Sequence, residues 1–150
     1  MRKIIKFFKL NGQERKLLIE ALYFLFVSQL MIKLVPFRKI SKILGKPEKE
    51  EYIVAKKEDN PEVCRELEQI SKIIRLAANG IFWDSKCLAR AIAAKRLLKR
   101  RKISSTVFLG IADGEEKKLL AHAWISSGGI IITGEKGIEN YRVITIFTDE

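Results

Sequence analysis

The sequence predicts an α+β protein, with helices as far as Lys102 and a four-stranded antiparallel sheet after it. Three observations carry that reading. Val63, Leu67, Ile70, Ile74 and Ala77 recur at three- and four-residue steps. After Lys102 the period drops to two, in "SSTVFLGIA", "KLLAHAWIS", "IIITG" and "YRVITIFT". Gly-containing turns, "DGEE" and "SGG", separate the first three of these runs.

The elements follow in order. "NGQERKLLIEALYFLFVSQLMIKLVPF" predicts a long helix from Gln13 to Leu34, stopped by Pro36. Leu17 to Val35 approaches the length of a bilayer span, but Glu20, Ser28, Gln29 and Lys33 interrupt it. A core or partner-facing helix is the expectation, and membrane contact is not expected. "FRKISKIL" reads as a short basic helix closed by Gly45. "GKPEKEEYIVAKKEDN" reads as a polar linker with an extended run at Tyr52 to Ala55. Asn60 caps the next helix with Pro61 at its first position, and Val63, Leu67, Ile70, Ile74 and Ala77 form its apolar stripe to Gly80. A further helix is capped by Asp84 or Ser85 and buries Leu88, Ala91, Ile92, Lys95 and Leu98. Its basic end, Lys95 to Lys102, reads as a solvated terminus that complements the helix dipole. The four strands then follow as a meander.

A chain of 150 residues is about one domain. The linker divides it into residues 1–50, a helical region expected to dock a partner, and residues 51–150, the core, packed as one compact unit. Its formal net charge of +11 is uneven. Residues 86–102 hold eight Lys or Arg and no acid. That field favours acidic peptides, acidic proteins, anionic lipid or nucleic acid without choosing among them. Two cysteines cannot staple a fold of this size, and no secretory signal is read, so free thiols in a cytoplasmic protein are expected. The absence of CxxC, a His pair or a carboxylate–histidine motif argues against zinc.

The chemistry rests on Cys87 and His122, the chain's one histidine. Cys87 is expected in the first turn of its helix, where free N–H groups and the dipole favour a thiolate and can hold an oxyanion. His122 alternates with Leu120, Trp124 and Ser126 on one strand face. Thiol and imidazole can meet if the Cys87 helix crosses that face. A third group should orient the ring. A two-residue turn at Gly128-Gly129 places Glu135 opposite His122, and a turn at Ser127-Gly128 places Thr133 there instead. Glu135 is preferred because a carboxylate stabilises an imidazolium. Each residue also has a plain reading: Cys87 as packing, His122 as a half-buried polar residue, Trp83 and Trp124 as core.

"CLARAIAAKRLLKRRKISSTVFLGI", followed by "AHAW", a Gly turn and a short last strand, resembles the lasso-peptide leader peptidases. The leading helices ending in "PF" are similar too, so the likeness covers nearly the whole chain. It implies a transglutaminase/papain-like core, with the Cys-bearing helix packed on the four-stranded sheet. Cys87 would be the nucleophile and His122 the base. The family's usual position for an Asp lands here on Gly134, with Glu135 beside it. The resemblance further implies a precursor peptide as substrate, a small leader-binding protein and an ATP-dependent lasso cyclase as partners, and no cofactor. Oxyanion or substrate contacts are expected from the Cys87 N–H, Trp83, Ser85 and Trp124.

Two other readings stay open. Another transglutaminase-like acyl transfer or amidase would use the same thiol. A basic module for nucleic acid or anionic membrane would not use it at all, but no aromatic platform is interleaved with the Lys95–Lys102 run, so a nucleic-acid partner is not expected.

Overall fold

The structure, a computed structural model, describes residues 8–48, 57–81 and 86–149. Helix α1 (Gly12–Leu34) begins with a capping box: Asn11 Oδ1 accepts from the Glu14 N–H at 2.8 Å, and Glu14 Oε2 accepts from the Asn11 N–H at 3.1 Å. Pro36 opens α2 (Phe37–Leu44), and Gly45 leads into β1 (Lys46–Glu48). Asn60 caps α3 (Pro61–Gly80) through the Glu62 N–H at 3.0 Å, with Pro61 first in the helix. Helix α4 (Cys87–Arg100) precedes β2 (Thr106–Asp113), β3 (Leu119–Ser127), β4 (Ile130–Thr133) and β5 (Arg142–Thr148). The extended run expected at Tyr52 to Ala55 lies outside the described residues.

The α+β class stands, with helices leading into an antiparallel sheet, but two details of the sheet differ from expectation. Among the described residues it has five strands, because Lys46–Glu48 pairs with the end of β5 instead of remaining linker. Its order is β1-β5-β2-β3-β4, so it is not a meander: the last strand returns to pair with β2. The far side of β4 is occupied by α3, whose Ser71 hydroxyl donates to the Ile132 carbonyl at 2.8 Å. The open side of β2 is then the place left for β5.

One apolar core joins helices and sheet. Leu17 and Leu25 of α1, Leu67 and Ile74 of α3, Ile92 and Leu97 of α4, and Val107, Ile125 and Phe147 of the sheet all belong to it. Helix α4 is central, packed on α1 and on β3. Ala91, Ala93 and Ala94 are fully buried, and their small side chains permit this close approach on more than one side.

The end of α4 is not simply solvated. Lys95 is 1% exposed and bonds the Asp149 carboxylate at 2.7 Å and both the carbonyl and hydroxyl of Ser105 at 3.1 Å. Arg101 meets Glu20 of α1 through two nitrogens, at 2.9 and 3.2 Å.

Candidate functional site

Cys87 is the first residue of α4. The N-cap is Lys86, which makes no side-chain cap bond, so the helix starts later than an Asp84 or Ser85 cap would set it. Its backbone is extended (φ −67°, ψ 154°), and its carbonyl accepts the first helical bond, from the Arg90 N–H at 3.1 Å. The N–H groups of Cys87, Leu88 and Ala89 therefore have no acceptor inside the helix, and Lys86 supplies no side-chain cap. The Cys87 side chain is half-buried against the apolar core. Trp83 and Ser85 lie outside the described residues.

His122 sits on β3 opposite Gly110 of β2. Its Nε2 lies 2.7 Å from the Gly134 carbonyl oxygen. A carbonyl can only accept, so Nε2 carries the proton and Nδ1 is the basic atom of the neutral ring. Tyr141 and Trp124 flank the imidazole, with ring centroids 4.9 and 5.7 Å away. Trp124 is itself buried and stacked on Phe108 at 5.5 Å, within 4° of parallel. It packs this side of the sheet and offers no open surface to a substrate.

Glu135 does not hold the ring. The turn is at Gly128-Gly129 and Ser127 faces Ile130, but a bulge between Ile125 and Ser126 shifts the pairing beyond it. Thr133 comes opposite Ile125 and the β4 ladder ends there. The Glu135 carboxylate turns to Arg75 of α3, 2.7 Å from its Nη1. Thr133 is buried, and its hydroxyl finds no partner among the described residues. The acceptor for His122 is instead the Gly134 main chain, at the position where the resemblance implied an Asp. Gly134 has φ +85°, and a Cβ there would stand 2.5 Å from the Ala123 carbonyl oxygen and 2.8 Å from Trp124 Cβ. Only glycine fits that approach. A lone glycine just after a strand was the one signal in the sequence for this contact.

Among the described residues no hydrogen bond joins Cys87 to His122. Ala123 and Ile125 of β3 enter the core shared with α4, and the alternation of side chains turns His122 and Trp124 to the other face. The helix thus packs on the face opposite to the one on which the imidazole was expected to meet it. At His122, however, the β4 side of β3 is unladdered, because that pairing covers only Ile125 to Ser127. The Gly134 main chain lies along this margin, against the Ala123 carbonyl and the His122 ring.

No curated protein and no solved structure matches the chain. A family model, that of the transglutaminase-like superfamily, matches residues 31–146, which run from the last turn of α1 through most of β5 and include both Cys87 and His122. The chain, with its half-buried cysteine opening a core helix and its strand histidine, belongs to the transglutaminase-like superfamily.

Proposed function

We propose that this chain is a cysteine endopeptidase that removes the leader from a ribosomally made lasso-peptide precursor. The superfamily fits cysteine-dependent peptidases and acyl transferases. The observation that carries the catalytic reading is the Gly134 carbonyl on His122 Nε2, since it leaves Nδ1 as the proton acceptor. The likeness of the Cys87 and His122 segments to leader peptidases supports the substrate class.

In this reading His122 Nδ1 takes the Cys87 proton. The thiolate attacks the scissile carbonyl, and N–H groups of the first turn of α4 hold the oxyanion. The peptide C–N bond breaks as His122 gives its proton to the leaving amine, the new N-terminus of the core peptide. Water then cleaves the thioester, releasing the leader with a free carboxylate. A separate leader-binding protein supplies local concentration, and an ATP-dependent cyclase consumes the freed amine.

Mass spectrometry of precursor mixed with this chain and a leader-binding protein should reveal one cut, lost in Cys87→Ala and in His122→Ala. A cut that persists in Cys87→Ala ends the thiol reading. A leader ending in an added amine instead of a free acid makes the chain an acyl transferase.

A further inference from the structure

Helix α1 carries apolar residues on two sides. Leu17, Leu18, Ala21, Phe24 and Leu25 are buried on one side. Ile19, Tyr23, Phe26, Leu30 and Leu34 recur at helical steps on the other, each between 41 and 78% exposed. They form a stripe about 22 Å long at 1.5 Å per residue, and exposed Phe37 of α2 follows it. Patches of this kind mark a contact surface.

The charges around the stripe select what it contacts. Both carboxylates of α1 are neutralised from within: Glu14 lies 3.9 Å from Lys72, and Glu20 is paired with Arg100 and Arg101. Its exposed Lys16 and Lys33, and the exposed Arg38, Lys39 and Lys42 of α2, make no ion pair among the described residues. An apolar, aromatic-bearing stripe bordered by unbalanced cations matches the interface of an anionic bilayer. A second copy would bring like charges together. Spanning the bilayer would strip the buried side of α1 from its core and Glu20 from its arginines. Although α1 alone is long and apolar enough to cross, its packing restricts it to lying flat.

We propose that the outer face of α1 is a peripheral docking surface for anionic membrane, with the helix in the membrane plane and Lys16, Lys33 and the α2 cations at the headgroups.

The full chain should sediment with phosphatidylcholine/phosphatidylserine vesicles at physiological salt, and far less with phosphatidylcholine alone. Tyr23→Asp and Leu30→Asp should each weaken binding about tenfold. Lys16→Glu and Lys33→Glu should each weaken it about fivefold or more. Both pairs are exposed, and circular dichroism checks that the fold is kept. Cys87→Ala should bind as the parent does, so this outcome is separate from that of the peptidase assay. Three results overturn the proposal: no binding to the anionic vesicles, undiminished binding in either set of variants, or a dimer or captured acidic protein that Tyr23→Asp releases while vesicles bind nothing.

Discussion

At the scale of single residues, the site turns on a carbonyl where a carboxylate was expected. The Gly134 oxygen fixes the His122 tautomer without adding charge, so the imidazolium of the proposed mechanism would rely on a dipole. Gly134→Ala should destabilise the fold by about 1–3 kcal/mol, since alanine is strained at positive φ, and the Cβ contact with Ala123 adds to that cost. It should also lower turnover by moving the acceptor. Glu135→Ala should leave turnover unchanged, because that carboxylate serves an exposed ion pair with Arg75. Nitrogen-15 NMR of the neutral ring in the parent should report protonated Nε2; protonated Nδ1 would sink this assignment. The order of residues placed Cys87 near a helix start, His122 on a strand and a turn at Gly128-Gly129 or one residue earlier, all of which are local features. It missed the acceptor, because counting back from a turn assumes an unbroken ladder and the bulge after Ile125 breaks it.

At the scale of elements, the starts of the helices divide by what satisfies their first N–H groups. Asn11 with Glu14 and Asn60 with Pro61 are self-contained signals, and the Asn60 start was legible for that reason. Helix α4 has no such signal: Asp84 and Ser85 look like caps, yet the first turn begins at Cys87 behind an uncapping lysine. An uncapped turn leaves donors for a reacting oxyanion and costs local stability, whereas a capped one does the reverse. Asn11→Ala should therefore lower the stability of the protein by about 1 kcal/mol, read as a lower urea midpoint with unchanged slope. Asn11→Asp, which restores an acceptor, should recover it. An equal loss in both variants would mean that the side chain acts through something other than the cap. Strand order was not legible at this scale, because alternation identifies strands and not their neighbours. Placing β5 beside β2 needed the helix that covers β4.

At the scale of the whole molecule, the end of the last strand is tied to the middle of the central helix by a buried charge. The stripe of α4 placed Lys95 inside, but nothing in the sequence paired it with Asp149. The carboxylate also accepts the Ser105 N–H at 2.9 Å, so α4, the entry to β2 and the exit of β5 meet at one point. Burial pulls the Lys95 pKa below its ordinary 10.5, and the hydrogen bond and charge of Asp149 partly restore it. Removing Asp149 leaves a desolvated ammonium with only the Ser105 oxygens. Asp149→Asn should cost about 3 kcal/mol, the low end for breaking a buried pair. Lys95→Met combined with Asp149→Asn should recover most of that loss, because no charge then stays buried. The pH dependence has a definite sign. Between the lowered native pKa and 10.5 the unfolded chain binds more protons at Lys95 than the native one, so native stability at this site rises with pH. Asp149→Asn lowers the native pKa further and widens that window. Its deficit against the parent should therefore shrink as pH climbs from neutral towards 10.5, where deprotonated Lys95 needs no counter-ion. Denaturant titrations of the parent, single and double variants at neutral and alkaline pH would measure this. A deficit constant across that range, or a double variant no more stable than Asp149→Asn, would show that the tie acts through packing rather than charge.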